Sequence, residues 1–210
     1  MDLKKIADRT IKKTSNLEET IFENGDTGDI IAVILRADAQ AGPFTAVFAP
    51  YLKGRGVKET AENAWAFVKA NVRYRKDRPG HERIKSPAKL WADREGDCKS
   101  YSVFLGSIFK NLGIQYKYRF AHYPSGRKDK DVNHVFPVVF AGGKEIPVDA
   151  VADYFNYEEP YEYAIDYDPE TGQQSAVSGL SKIPTWVKVG AAIWFGSMVF
   201  NALSCSNSNE

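Results

Sequence analysis

The chain has 210 residues, enough for one domain with a real core plus an appendage. Hydrophobic residues make up 43% and charged residues 26%, an ordinary globular balance that excludes a disordered chain. Lys+Arg at 28 against Asp+Glu at 27 leaves +1, so no overall field recruits nucleic acid or an acidic surface.

The first segment, MDLKKIADRTIKKTSN, lacks an apolar h-region, so no secretory signal is expected. Residues 1–23 read as one amphipathic helix, with Leu3, Ile6, Ile11, Leu17 and Ile21 on one side and lysines opposite; Asn24-Gly25-Asp26 breaks it. A second helix runs from Asp29 to about Gln40. Its Ile30, Ile31, Val33, Ile34 and Leu35 require a partner, and Gly42-Pro43 ends it. Phe44 to Leu52 is a short apolar stretch, followed by the loop Lys53-Gly54-Arg55-Gly56. A third helix spans Lys58 to Val72 with Ala61, Trp65, Val68 and Val72 as its buried stripe, Trp65 reading most simply as core. A charged loop through Pro79-Gly80 carries His81, read as solvated.

SPAKLWADREGDCKSYSVFLGSIFKNLG, from Ser86 to Gly113, organises the rest. Asp97 is a good N-cap, because its side chain can accept from an orphan N–H two or three residues on, and Gly113 supplies the stop. Tyr101, Leu105, Ile108 and Leu112 recur at helical spacing, so Cys98 sits on the first turn of a largely buried helix. A thiolate there is favoured by the positive end of the helix dipole and by unpaired N–H groups, which raises its reactivity. A plain buried thiol is the competing reading, since free cysteine is commonly buried. The other cysteine, Cys205, lies in a polar tail; nothing points to an oxidising compartment.

From Ile114 the period changes to two. Ile114, Tyr116, Tyr118, Phe120 and His122 share one face and Gln115, Lys117 and Arg119 the other, a half-buried strand. After the polar loop 124–131 come a strand from Val135 to Phe140, a Gly142-Gly143 turn and a third strand from Glu145 to Val151. Pro137 and Pro147 must then occupy edge or non-bonded positions. Residues 152–180 are acidic and tyrosine-rich and read as an extended surface flap. Pro184 introduces an apolar helix over 186–203, too short in its uncharged core to cross a bilayer but near a span with its flanks. Three readings stand for it: a helix docked on the domain or another subunit, a C-terminal membrane anchor, and an interfacial helix.

A cysteine nucleophile needs an imidazole to take its proton, and the imidazole needs an acceptor to hold its tautomer. With residues 141 and 144 paired across the turn, His134 faces Val151 and Asp149 is its diagonal neighbour; a one-step shift puts Asp149 directly opposite. Either register brings His134 and Asp149 within reach. His122, on the apolar face of its strand, has no comparable carboxylate and reads as closing the core or lining the site.

The stretches GDCKSYSVFLGSIFKNLGI and NHVFPVVFAGGKEIPVDAV resemble the transglutaminase-like superfamily, whose fold is papain-like. That family has G-x-C at a helix start, then His opening a strand and Asp ending the next, here fifteen residues apart. ETAENAWAFVKANVRYRKD and the Pro87 and Trp91 pair resemble elements preceding the cysteine in bacterial members, so the likeness covers about residues 58–160. The usual His-Ala-Trp is His134-Val135-Phe136 here, and the usual Asp-Pro is Asp149-Ala150; neither change removes a reacting side chain. The segments DCKSYS and VDAVADYFNYEEPY further resemble versions from bacteriophage and prophage clusters.

The resemblance implies an α+β, papain-like core in which a Cys-bearing helix packs on an antiparallel sheet carrying His and Asp. It implies cysteine acyl transfer, as a peptidase or amidase or as a transglutaminase, through Cys98, His134 and Asp149. It also implies a protein or peptide substrate and no metal or other cofactor. The Cys98 N–H is expected as one oxyanion donor, with Tyr74 supplying or supporting a second; a tyrosine packed at a strand end is the competing reading. The organisation expected is a helical extension over 1–56, a core over 57–160, an acidic flap and linker over 161–183, and an apolar helix and tail over 184–210. A location in the bacterial cytoplasm or on a virion is expected. The alternative function is a non-catalytic assembly module, for example in a phage particle, that retains the fold.

Overall fold

The computed structural model describes residues 2–13, 19–23, 27–78, 81–123 and 132–177. Helix α1 (Leu3–Thr10) is followed by strand β1 (Glu19–Glu23), so residues 1–23 are not the single helix that their lysine-rich pattern implied. β1 pairs antiparallel with β3 (His81–Lys85), which replaces the expected loop around His81. β-pairing between segments some sixty residues apart leaves no local trace in a charged sequence. Helix α2 (Thr27–Thr45) runs through Gly42-Pro43 rather than ending there. Asn111 explains this: its Nδ2 donates to the Gly42 carbonyl (2.8 Å) and to Thr45 Oγ1 (2.9 Å), supporting the turn around the proline from a neighbouring helix. Helix α3 (Val57–Asn71) falls where its apolar stripe placed it.

Short strand β2 (Arg73–Tyr74), helix α4 (Pro87–Asp93) and short strand β4 (Glu95–Gly96) lead into helix α5 (Cys98–Asn111), which packs against α2 and the main sheet. That sheet contains β5 (Tyr116–His122), β6 (His134–Ala141), β7 (Lys144–Pro147), β8 (Tyr163–Tyr167) and β9 (Gln174–Val177). Its order is β7-β6-β5-β8-β9, antiparallel at every pairing. Helices packed on an antiparallel sheet make this the expected α+β fold.

The face of the sheet toward α5 carries Tyr118, Phe120, Val135, Val139 and Ile165 in one continuous core with α2, α3 and α5. The opposite face corrects two expectations. β5 is the central strand and not a half-buried one, and residues 163–167 and 174–177 are two further strands of the same sheet and not a surface flap. Arg119 is only 2% exposed, yet it is satisfied: Asp166 accepts from its Nε (2.8 Å), Glu158 from Nη1 (3.0 Å) and Glu145 from Nη2 (2.7 Å). A strand whose charged face is buried through internal pairing shows the same alternation as a half-buried one, so the pattern alone leaves its second face looking solvated.

Hairpin β6–β7 has the register with 141 opposite 144. Val148 N–H donates to the Pro137 carbonyl (2.8 Å), so residue 137 turns its backbone groups toward β7 and leaves the ladder with β5 intact. Pro147 lies on the edge strand β7. Among the described residues, no helix is long and apolar enough to cross a membrane. The loop 124–131 and the apolar segment 186–203 with its competing readings lie outside them.

Candidate active site

Cys98 is the first residue of α5 and is 9% exposed. Asp97 caps the helix as its sequence position requires, accepting from the Ser100 N–H at 3.2 Å. Gly96 suits the packing here, since a Cβ would lie 2.4 Å from Leu90 Cδ1 and 3.2 Å from Ser100 Cβ, and both would have to give way. Lys99 holds the cap from the side: its ammonium contacts Asp97, Glu82 (2.6 Å) and Asp77 (3.5 Å). Burial pushes the Asp97 carboxyl up, and Lys99 opposes that shift. One turn beyond Cys98, Ser102 Oγ donates to the Val135 carbonyl (3.0 Å), which seats the start of α5 on the start of β6. That contact puts the cysteine beside residue 134.

His134 opens β6 with its side chain 12% exposed. Its Nε2 lies 2.7 Å from Asp149 Oδ2, and Cys98 is near enough to act on the ring by both hydrogen bonding and charge. Asp149 lies just past β7, at the diagonal position the hairpin register implies, and its Oδ1 accepts from the Val151 N–H (2.9 Å). Burial disfavours charge on the imidazole, but the hydrogen bonds and charges of Asp149 and Cys98 outweigh it and push His134 up to about 10. The ring is therefore an imidazolium at neutral pH.

A folded-state value above the ordinary one has a defined consequence for stability. His134 stabilises the fold fully below about pH 6.5, and that contribution is lost as pH rises through about 10. Urea unfolding of the native chain and of His134→Gln across this range should show a stability difference that shrinks toward alkaline pH. Parallel curves would contradict the paired imidazolium.

Tyr74, on β2, pairs in parallel with Gly96, which brings it alongside the helix start. Its ring meets Tyr101 edge-on at 6.0 Å. Burial, reinforced by the nearby Cys98, Asp97 and Asp149, pushes its phenol above the usual range, so it stays protonated and able to donate. It is nonetheless 43% exposed. His122 stacks on Tyr163 with ring centroids 5.1 Å apart, and its Nε2 lies 3.7 Å from Glu162 Oε2.

A cleft of about 810 Å³ opens over His134 and Asp149, walled by Tyr123, Tyr154, Tyr157 and Lys76. Sequence reading missed the residues that hold this wall. Trp65 of α3, read most simply as core, reaches the Asp149 carbonyl, and Lys69 one turn on reaches that of Val151. A tryptophan followed four residues later by a lysine is a visible pattern, but its partner some eighty residues away is not.

The sequence profile described as the transglutaminase-like superfamily matches residues 48–150. No curated protein sequence matches the chain at a significant level. Among solved structures, a proposed protease from Parabacteroides distasonis ATCC 8503 superposes with a TM-score of 0.50 at 13% identity, covering 72% of this chain and 31% of that protein. A proposed cysteine protease from Cytophaga hutchinsonii gives a TM-score of 0.41 at 16% identity, covering 63% of this chain and 48% of that one. The chain thus spans less than half the length of either solved protein, and the likeness at this identity is one of fold. The stretch 48–150, which carries the Cys-bearing helix, the His-bearing strand and the Asp that follows the hairpin, is thus a transglutaminase-like superfamily region.

Proposed function

We propose that this chain is a cysteine acyl-transfer enzyme, a peptidase or amidase, with Cys98 as nucleophile, His134 as proton carrier and Asp149 as its orienting partner. The observation that carries the reading is the single imidazole that engages both Asp149 and Cys98, at the floor of a cleft. The Cys98 sulfur, as thiolate, attacks an amide carbonyl carbon and forms a C–S bond while the carbonyl oxygen takes up negative charge. The Cys98 N–H, in the first turn of α5 and without an intrahelical partner, is placed to donate to that oxygen. Tyr74 is proposed as the second donor.

His134 then protonates the leaving amine and the C–N bond breaks, leaving a thioester. Water, deprotonated by the now neutral imidazole, attacks that thioester; the C–S bond breaks and the acid is released with the enzyme restored. An amine in place of water would give transamidation. Exposed Tyr154 and Tyr157 leave the cleft open to solvent, which favours water. The substrate that goes with this reading is a protein or peptide, which would lie in the cleft, and the chemistry calls on no metal.

Alkylation tests the reading directly. Iodoacetamide at neutral pH, followed by peptide mass spectrometry, should modify Cys98 far faster than Cys205, because an imidazolium beside Cys98 favours its thiolate. Equal rates at the two cysteines would overturn it.

A further inference from the structure

We infer that Trp65 and Lys69, one turn apart on α3, form a clamp that positions Asp149 and the adjoining wall of the cleft. The inference rests on the proposed role of Asp149. The Trp65 indole N–H donates to the Asp149 carbonyl at 2.7 Å. Lys69 Nζ donates to the carbonyls of Val151 (3.0 Å) and Ala152 (2.7 Å) and meets Asp153 Oδ1 at 3.1 Å. Two side chains of one helix thus capture four of the five positions from Asp149 to Asp153, all but Ala150.

This anchoring is needed because Asp149 lies beyond the last paired residue of β7, where the sheet ladder no longer fixes the backbone. Its carboxylate is oriented by the Val151 N–H, and that N–H is in turn only as well placed as the Val151 backbone that Lys69 holds. The indole is itself fixed: its ring packs against Phe155 (centroids 6.0 Å apart) and the Lys69 ammonium lies 6.0 Å from its centre. Asp153 and Tyr154, the next residues on, line the cleft. The same helix therefore sets both the hydrogen bond that steers His134 and the position of the wall a substrate meets. Neither side chain touches a reacting atom, so both are positioning residues.

The test uses the full chain, Trp65→Phe, which keeps an aromatic ring and removes the N–H, and Lys69→Met, which keeps the stem and removes the donor. Lys69→Arg restores donors, and Asp149→Asn serves as the reference. Two readouts are taken: the His134 titration by NMR on histidine-labelled protein, with Asp149, Cys98 and the Tyr123 ring facing the imidazole, and the iodoacetamide rate at Cys98. The clamp predicts that Trp65→Phe and Lys69→Met both move the His134 midpoint down from about 10. Each should slow Cys98 alkylation about tenfold, within the range caused by misplacement distant from the chemistry. Lys69→Arg should recover most of the loss.

If Asp149→Asn shifts both readouts while Trp65→Phe and Lys69→Met shift neither, the clamp is wrong and the enzyme reading stands. A lowered unfolding temperature with unchanged titration would likewise reduce the pair to packing. If Asp149→Asn also changes nothing, the proposed function fails and takes the clamp with it. Should Trp65→Phe not fold, the partly exposed Lys69→Met decides.

Discussion

Replacing Asp149 by asparagine is expected to lower amide hydrolysis by on the order of 10³- to 10⁴-fold, the scale on which a hydrogen-bonded triad loses rate when its carboxylate becomes an amide. Both Asp149 oxygens are acceptors: Oδ1 takes the Val151 N–H and Oδ2 faces His134 Nε2. An asparagine offers one oxygen and one NH2, so it must turn a donor toward one of two donors. The Val151 N–H belongs to the backbone and cannot change its role, so the amide oxygen goes there and the NH2 meets the ring. His134 must then keep Nε2 unprotonated and place its proton on Nδ1, which leaves a neutral imidazole beside Cys98. The charge that the native pair stabilises up to about pH 10 is lost. Cleavage of a pooled set of peptide amides bearing a fluorogenic leaving group measures the effect. A variant within tenfold of the native rate would show that Asp149 does not orient the ring.

The largest effect on stability is expected at Asp38, which is 0% exposed and lies on α2. Its Oδ1 accepts from the hydroxyls of Tyr116 (2.5 Å) and Tyr118 (2.7 Å), and its Oδ2 meets Lys110 Nζ at 2.7 Å. One carboxylate thereby joins α2, α5 and β5. Burial, with Asp38 beside them, pushes both phenols above their usual range, so they remain donors throughout. Gly106 is shaped to this knot, because a Cβ there would lie 2.0 Å from the Tyr118 hydroxyl. Asp38→Ala strands two buried hydroxyls and leaves a void, at a cost of about 3–5 kcal/mol. The Lys110 side chain, 37% exposed, can turn to water and adds little. Urea unfolding should show the loss as a lower midpoint with an unchanged slope. A loss below about 1 kcal/mol would mean that the hydroxyls find other partners.

Both predictions sit where local sequence and long-range contact meet, and they divide unevenly between the two. The Asp97 cap, the helix that follows Cys98 and the β6–β7 register were legible because caps, helical spacing and a two-glycine turn are local rules. That register already placed Asp149 diagonal to His134. The strand β1, the partners of Arg119 and the strands β8 and β9 were not legible. Each depends on segments far apart in the chain, and paired charges buried between them read as a solvated face.

Asp38 shows the same division. Its position on α2 is plain, but nothing near it in the chain announces that two tyrosines from β5 converge on its carboxylate. Trp65 and Lys69 likewise look like any helix stripe until the chain after Asp149 arrives against them. By itself the sequence determined which residues could carry thiol chemistry, and it set the two elements that present them. Tertiary structure alone decided that these elements meet, through Ser102 on Val135, and what holds Asp149 once the ladder ends. The reason is physical: backbone periodicity and capping act over a few residues, whereas the hydrogen bonds that align a sulfur, a ring and a carboxylate form only when distant segments pack.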